Sequence, residues 1–286
     1  MILGPTAVGK SKLALEMALA LGAEVLVADS RQVYRRLEIA TNKPLPEDRA
    51  RVRYHGLDLA DPAEGFNVHR YVEAVAPLLA AREVVVEGGT NLYVDALMDG
   101  LSLAGVPPRP ERRAELAELS TVQLGGLARS LDPDLSLDFA NRVRLVRAIE
   151  VLEVAGPPLA RLRTRRAPPW KAVRVGLELP SEQLLRRIEE RSRQQLERGL
   201  IAETRAALEA GVPAASQALS GTGYAEAVAF LEGRVREDEL LRLMVRSNRR
   251  LAKRQLTWLR RDPRVRWFQT EANALPAILN YLETPF

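Results

Sequence analysis

The chain has 286 residues, of which 47% are hydrophobic and 28% are charged, a composition typical of globular proteins. It has no cysteine and only two histidines, His55 and His69, which excludes disulfides, thiolate metal sites and a histidine zinc cluster. Since no apolar run is long enough to span a membrane, we expect a cytoplasmic protein with no membrane partner; its net charge of +5 permits a polyanionic partner.

The first predicted element is a phosphate-binding loop. The stretch "GPTAVGKS" fits Gly-x-x-x-x-Gly-Lys-Ser, in which glycines let backbone N–H groups face a phosphate and the next helix directs its positive end at the same anion. The lysine adds a mobile charge, and the serine adds a hydroxyl for Mg²⁺. The pattern predicts a diphosphate or nucleotide site made of Gly4, Pro5, Thr6, Ala7, Val8, Gly9, Lys10 and Ser11.

The strand that leads into this loop is short. Only Met1, Ile2 and Leu3 precede Gly4, whereas strands usually have about five or six residues. We expect the natural protein to begin several residues upstream, with apolar residues that complete the strand. A clipped central strand, with some loss of stability, is the alternative.

The next elements alternate between strands and helices. The apolar runs 24–29 and 83–89 predict buried parallel strands, and helical patterns occupy 11–21 and 68–81. This alternation predicts an α/β fold, a P-loop doubly wound parallel sheet whose first part spans 1–109.

Asp29 follows the first of these strands, at the carboxyl edge of the sheet, where ligands of such sheets bind. Ser30 and Gln32 come next, and their side chains suit hydrogen bonding to a base edge. On its own, an aspartate after a strand is more often a turn or cap residue.

The pattern changes in the second half of the chain. Residues 110–170 are rich in Leu, Arg and Glu and contain no convincing strand, which predicts a helical insertion domain. Residues 171–286 then complete the core. They contain predicted strands at 173–179 and 264–268, and predicted helices at 181–210, at 236–260 and at the end of the chain.

Two stretches carry positive charge only. Six basic residues and no acid lie between Arg161 and Arg174, and the stretch "RSNRRLAKRQLTWLRR" from 246 to 261 also lacks acids. A solvated helix face usually carries both signs, so one-signed runs of this length favour nucleic-acid binding.

Five blocks together carry a family resemblance. They are "GPTAVGKS", "DSRQVYRRLEIATNKP" (29–44), "EGGTNLY" (87–93), "NRVRLVRAIEV" (141–151) and "LAKRQLTWLR" (251–260). In this order and spacing they resemble the tRNA dimethylallyltransferase family over nearly the whole chain. The resemblance implies transfer of a dimethylallyl group from dimethylallyl diphosphate to the exocyclic amino group of the adenine 3′-adjacent to the tRNA anticodon.

The resemblance also implies roles at the reacting centre. Asp29 matches the general base, while Thr6 and Arg191 match residues that contact the leaving diphosphate. Mg²⁺ is the implied cofactor, held directly by Ser11 and through water by Glu87, although a strand-end carboxylate is commonly structural.

The expected partners are tRNA and dimethylallyl diphosphate, and we expect a monomer. The arginines of 141–151 could instead pair with Glu150 and Glu153, and Trp258 could instead anchor a core. The residues implied to contact tRNA are Asp29, Ser30, Arg31, Gln32, Thr90, Arg113, Asn141, Arg144, Arg147, Lys253, Arg254, Gln255, Thr257, Trp258 and Arg260.

Some positions depart from the family's pattern. Arg31 stands where Met is usual, Arg36 and Ala40 stand where Gly is usual, and Ala225 replaces a usual Lys or Arg. These departures concern base and tRNA contact and leave the predicted diphosphate loop intact.

Other functions share parts of this pattern. A P-loop kinase of a nucleoside or small molecule would have the same loop, with Asp29 activating a hydroxyl, and "RLRTRRAPPW" (161–170) could mimic its lid. A non-catalytic RNA-binding NTPase module and an isopentenyltransferase acting on free adenine nucleotides are further alternatives. The basic insertion and the basic late helix favour a larger acceptor.

Overall fold

The structure is a computed structural model that describes residues 1–102, 105–162, 164–270 and 274–283. It forms two compact units, one made of Met1–Asp95 with Pro169–Phe286 and the other of Ala96–Pro168.

Strands and helices alternate in the first unit, and helices dominate the second. In chain order the elements are β1 (Ile2–Leu3), α1 (Lys10–Leu21), β2 (Glu24–Ala28), α2 (Pro46–Arg51), β3 (Tyr54–His55), α3 (Val68–Ala81), β4 (Val84–Gly88), α4 (Asn91–Asp99), β5 (Leu101–Ser102), α5 (Pro110–Ala117), α6 (Thr121–Leu131), α7 (Arg142–Ala155), a 3₁₀ turn (Leu159–Leu162), β6 (Thr164–Arg165), β7 (Val175–Glu178), α8 (Ser181–Glu197), α9 (Leu200–Glu209), α10 (Tyr224–Leu231), α11 (Glu237–Leu259), β8 (Arg266–Gln269) and α12 (Ala274–Glu283). Within the described ranges, no helix is long and apolar enough to cross a membrane.

The first unit is built on a six-stranded parallel sheet in the order β3-β2-β4-β1-β7-β8. The predicted doubly wound parallel sheet is therefore confirmed. The apolar runs of β2 and β4 are buried, as strands covered on both faces must be. In the register, Ala28 lies opposite Gly88 and Ile2 lies opposite Glu87. The carboxyl ends of β1, β2 and β4 therefore meet at one edge.

The predicted single helix over 181–210 is wrong, because the chain forms two helices there. α8 ends at Glu197 and α9 begins at Leu200, with Gly199 between them in a left-handed conformation (φ 93°). Glycine adopts this conformation without the steric cost that a Cβ imposes. The amphipathic pattern continues across the break, so periodicity alone did not reveal it.

The expectation that 110–170 contains no strand is also wrong. The short β6 pairs antiparallel with β5, joining Leu101 to Arg165. Two residues are too few to show the alternation by which strands are recognised. Gly100 permits the pairing, because a Cβ built there would lie 1.6 Å from the carbonyl oxygen of Arg166.

The second unit buries the apolar faces of its helices against one another. Leu116 of α5, Leu124 of α6 and Leu145 of α7 are fully buried in one cluster. α6 begins at a capping box, in which the Ser120 hydroxyl accepts from the Gln123 N–H and the Gln123 amide oxygen accepts from the Ser120 N–H. These helices therefore have a core of their own.

The segment that follows Asp29 is held in place by the charged side chains of Glu203 and Lys43. Glu203 of α9 accepts from the backbone N–H groups of Glu38 (2.9 Å) and Ile39 (3.0 Å). The buried ammonium of Lys43 donates to the carbonyl of Tyr34 (2.6 Å), to Glu38 (2.7 Å) and to Asp58 (2.5 Å). The middle of the segment is thereby tied to α9, and its last part is tied to Asp58.

Candidate active site

The phosphate-binding loop connects β1 to α1 in the first unit. Its backbone is left-handed at Ala7 (φ 66°) and Gly9 (φ 107°), and Gly9 caps α1. Gly4 has no room for a side chain, because a built Cβ would lie 2.8 Å from the carbonyl oxygen of Leu177. The loop thus leads into the N-terminus of α1, whose N–H groups and positive dipole end favour anions.

Lys10 is positioned over the loop. Its ammonium donates to the carbonyls of Gly4 (3.1 Å) and Pro5 (2.9 Å). Burial lowers the pKa of Lys10 to about 8, although the charge of Glu87 acts in the opposite direction. A desolvated cation of this kind interacts strongly with a charged phosphate oxygen.

Ser11 and Glu87 form the part of the site suited to a divalent cation. The Ser11 hydroxyl donates to Glu87 Oε2 at 3.1 Å. Glu87 is buried, its Oε1 atom has no hydrogen-bond partner among the described residues, and burial raises its pKa. A buried carboxylate oxygen without a partner beside a hydroxyl matches the oxygen ligands that Mg²⁺ prefers.

Arg191 of α8 and Thr6 of the loop meet although 185 residues separate them in the sequence. The Arg191 Nη2 group donates to Thr6 Oγ1 at 2.6 Å and to Asn248 Oδ1 at 3.5 Å. Burial lowers the pKa of Arg191 to about 10, and its Nε atom has no partner in the part of the chain that the structure describes. Arg191 thus supplies a second desolvated cation to the loop.

Asp29 directly follows β2, whose carboxyl end lies at the same edge of the sheet as the end of β1 that leads into the loop. Its Oδ1 atom accepts from the Arg31 N–H at 2.7 Å, which closes a turn. The negative charge of Asp29 favours the protonated forms of Lys10 and Arg191. It therefore offsets part of the fall that burial causes in the pKa values of these two residues. The carboxylate thus accepts from the Arg31 N–H and adds negative charge at the end of β2.

The neighbours of Asp29 join the ends of β2 and β4. Thr90 Oγ1 accepts from the Ser30 N–H at 2.9 Å and donates to Ser30 Oγ at 3.2 Å. Gln32 is buried, and its Oε1 atom has no partner among the described residues. Arg31 extends toward Ser220, whose Oγ atom lies 3.3 Å from its Nη1 atom, and burial lowers the pKa of Arg31. The structure thus brings Thr90, a predicted tRNA contact after β4, beside Ser30, a predicted base contact after β2.

The late basic block lies on α11, whose two faces differ. The side chains on the exposed face have no acidic partner among the residues that the structure describes. They are Arg246, Arg249, Arg250, Lys253, Arg254 and Arg260. Thr257 is exposed and hydrogen-bonds to the carbonyl of Lys253, and Trp258 is half-buried. Gln255 does not share the exposed face, since it is buried beneath the phosphate-binding loop.

The predicted tRNA-contacting residues of the second unit have different environments. Arg113 forms a bidentate ion pair with the fully buried Glu150 (2.8 Å to each oxygen), and Arg147 donates to Glu150 (3.5 Å) and to the carbonyl of Val106 (2.6 Å). Desolvation acts to raise the pKa of Glu150, but these arginines and the Arg109 N–H hold it below its usual value. Asn141 caps α7.

Arg144 is different from its neighbours on α7. It is exposed, and its guanidinium has no partner within the described ranges.

Sequence reasoning missed two polar residues of the first-unit site, Asn248 and Thr222. Asn248 is buried and accepts from both Arg191 and the Thr222 hydroxyl (3.2 Å). A signal existed, because Asn248 and Gln255 occupy the same face of α11 as the apolar residues Met244, Ala252 and Leu259. Polar side chains on the buried face of an amphipathic helix must be hydrogen-bonded, which marks them as candidates.

Comparisons with known proteins give a consistent result. The family model described as IPP transferase matches residues 32–262. The chain is 38% identical over 285 residues to a protein of Thermomicrobium roseum named tRNA dimethylallyltransferase, covering 93% of this chain and 84% of the relative. It is also 38% identical over 278 residues to a protein of the same name from Gloeobacter violaceus, covering 95% of this chain and 92% of that relative.

Solved structures are similar as well. The tRNA isopentenylpyrophosphate transferase of Bacillus halodurans superposes with a TM-score of 0.74 at 31% identity, covering 98% of this chain and 94% of that one. A eukaryotic dimethylallyltransferase described as acting on tRNA superposes with a TM-score of 0.77 at 22% identity, covering 96% of this chain and 74% of that one. The second likeness concerns the fold alone.

Proposed function

The chain belongs to the IPP transferase family, and on that premise we propose that it is a tRNA dimethylallyltransferase. It transfers a dimethylallyl group from dimethylallyl diphosphate to the exocyclic amino group of the adenine 3′-adjacent to the tRNA anticodon. The observation that carries the proposal is that two buried cations meet at the phosphate-binding loop, Lys10 on its carbonyls and Arg191 on Thr6, at the sheet edge where β2 ends before Asp29.

The reaction breaks the C–O bond of the allylic diphosphate and forms a C–N bond. The electron pair of the C–O bond leaves with the diphosphate, whose negative charge increases as the bond breaks. Lys10, Arg191 and the N–H groups at the start of α1 stabilise that charge, and they act in a desolvated site, where such interactions are strongest. The Thr6 hydroxyl, oriented by Arg191 at 2.6 Å, donates to an oxygen of the leaving group.

The acceptor is an amino group whose lone pair is delocalised into the adenine ring. It becomes acidic as the C–N bond forms, and the Asp29 carboxylate takes the proton. The Arg31 N–H holds Oδ1, so the proton is transferred to Oδ2. The products are the N⁶-dimethylallyl adenine and diphosphate, and the proton balances on Asp29.

Mg²⁺ is the proposed cofactor, since the Ser11 hydroxyl and the unpartnered Glu87 Oε1 atom fit it. When bound, it would neutralise charge on the diphosphate oxygens. Mg²⁺ usually keeps several waters and takes few protein ligands.

The exposed basic side chains of α11 support tRNA as the acceptor, because a one-signed basic surface attracts a phosphate backbone. The adenine must leave its stack to reach Asp29. Ser30 and Gln32, which directly follow Asp29, are the proposed readers of its edges. The unpartnered Gln32 Oε1 atom can accept a hydrogen bond from a base.

One incubation tests the reaction against the alternatives. The protein is mixed with labelled dimethylallyl diphosphate and, in separate reactions, with tRNA, AMP or ATP. We expect label on tRNA alone. Label on AMP or ATP would indicate an isopentenyltransferase for free nucleotides. A P-loop kinase would be supported if no acceptor is labelled and if ATP is consumed when a small acceptor is added to it.

Arg144 is the proposed tRNA contact of the second unit, because its guanidinium is exposed and has no partner among the described residues. We expect Arg144→Ala to weaken tRNA binding and to lower the slope of log K against log salt by about 0.7–0.9, the loss of one phosphate contact. Filter binding over a salt series measures both quantities. Turnover at saturating tRNA should change little.

Arg113→Ala is the matched comparison in the same unit. It removes the bidentate partner of the buried Glu150, so we expect the free energy of unfolding to fall by about 1–3 kcal/mol. Denaturant unfolding checks that change. An unchanged salt slope for Arg144→Ala would show that Arg144 does not contact tRNA phosphate.

A further inference from the structure

Gln255 occupies an unusual position for a residue of a basic helix block. It lies on α11 between the exposed Arg254 and the half-buried Leu256, yet its own side chain is only 6% exposed. Its helix face distinguishes it from the cationic surface, because Gln255 lies on the side of α11 that also carries the buried residues Ala252 and Leu259. Its buried amide therefore has a role different from that of the exposed basic residues.

The amide of Gln255 joins two parts of the active site. Its Oε1 atom accepts from the Thr6 N–H in the phosphate-binding loop at 2.8 Å. Its Nε2 group donates to the carbonyl of Gly89, directly after β4, at 2.8 Å. Both polar atoms of one amide are thus used, and both bonds reach residues more than 160 positions away.

The two bonds fix one residue of the phosphate-binding loop and the chain directly after β4. Thr6 carries the hydroxyl held by Arg191, and its backbone orientation depends on the bond from its N–H to Gln255. Gly89 follows Gly88 and Glu87 at the end of β4, so the second bond fixes the strand end beside the proposed Mg²⁺ ligand. We propose that Gln255 is a positioning residue that holds the phosphate-binding loop in the conformation that binds the diphosphate.

The same helix face supplies a second support. Asn248, two turns before Gln255, accepts from Arg191. The buried face of α11 therefore positions Thr6 from both sides, through its N–H and through the arginine on its hydroxyl. This assignment replaces the expectation that Gln255 contacts tRNA, and it rests on the proposed function of the loop.

Gly89 gives an independent way to disturb the same contact. A Cβ built at Gly89 would lie 2.5 Å from Gln255 Nε2, while its next neighbours, Gln255 Cδ and Lys10 Nζ, are at 3.6 and 3.8 Å. The backbone of Gly89 is not left-handed, so alanine is conformationally acceptable there. Gly89→Ala thus displaces the amide of Gln255 with little other conflict.

The experiment is a double-mutant cycle read by two binding assays. Calorimetry with dimethylallyl diphosphate and Mg²⁺, without tRNA, measures donor affinity, and filter binding measures tRNA affinity. We expect Gln255→Ala and Gly89→Ala each to weaken donor binding by about five- to tenfold, the loss of one or two hydrogen bonds that order the loop. tRNA affinity should stay within about twofold, a difference too small to represent one lost hydrogen bond.

The double variant carries the decisive comparison. With the Gln255 amide already removed, Gly89→Ala has nothing left to displace, so the double variant should bind the donor no more weakly than Gln255→Ala alone. Lys253→Ala, on the exposed face of α11, should show the opposite pattern, with weaker tRNA binding and unchanged donor affinity. Thermal unfolding confirms that each variant is folded.

The outcomes separate this inference from the proposed function. Additive losses in the cycle, or a Gln255→Ala variant with normal donor affinity and weakened tRNA binding, would overturn the positioning role. Failure of the unaltered protein to bind dimethylallyl diphosphate would instead count against the proposed function.

Discussion

Replacing Lys10 by Ala is expected to lower kcat/KM for dimethylallyl diphosphate by about 100- to 1,000-fold, the scale measured when one donor that stabilises developing charge is removed. The ammonium is buried over the loop and donates to the carbonyls of Gly4 and Pro5. Its loss removes a desolvated cation from the diphosphate, whose charge rises in the transition state. Steady-state label transfer to tRNA measures the effect.

Lys12→Ala is the matched control for Lys10→Ala. Lys12 lies two residues further along α1 and is exposed, 3.8 Å from Glu16 in an i,i+4 pair, an arrangement that contributes little to stability. We expect its activity to be near normal. Comparable activity of the Lys10→Ala and Lys12→Ala variants would contradict the proposed diphosphate site.

Asp29→Asn is expected to lower the rate of the chemical step by about 100-fold or more, the scale of general-base catalysis. The change is nearly isosteric, and the amide oxygen can still accept from the Arg31 N–H, so the turn is retained. The variant loses the basic atom that receives the amino proton. Single-turnover label transfer at saturating tRNA and donor measures the rate, and filter binding should show that tRNA still binds.

Asp61→Asn provides the comparison for this change. Asp61 Oδ1 accepts from the Ala63 N–H at 3.0 Å in the same kind of aspartate turn, and its Oδ2 atom accepts from Arg36 in an exposed ion pair, a type that contributes little to stability. We expect it to react at a near-normal rate. If Asp29→Asn also transfers label at a near-normal rate, another group acts as the base.

Much of the fold was predictable because its signals are local. The loop motif, the apolar runs of β2 and β4 and the helical period of α1 and α3 all lie within short stretches, and α3 has the predicted bounds, Val68–Ala81. The predicted elements were wrong in two places. One strand was too short to show an alternating pattern, and one amphipathic pattern continued across the break between two helices. β6 has only two residues, and the amphipathic pattern of α8 and α9 continues through Gly199.

The candidate site was predictable in part, because strand order brings the ends of β1, β2 and β4 to one edge once a parallel sheet is assumed. Asp29 and the loop follow from that rule. That rule does not show which arginine of α8 reaches the loop, because the periodicity of a helix indicates only which of its faces is buried. The family resemblance, and not the helix pattern, selected Arg191, and the structure brings it to Thr6.

A phosphate-binding loop, a parallel α/β sheet and a strongly basic helix can all be predicted from residues that are neighbours in the chain, because composition, motif and periodicity are local properties. The contacts of individual polar side chains are set by how distant elements pack. Gln255 turns inward to Thr6 and Gly89, Arg113 and Arg147 bond to the buried Glu150, and Arg144 stays exposed. The reason is physical: a buried polar group must find its partner across the packed core, and that partner is set by how the elements pack and not by adjacency in the chain.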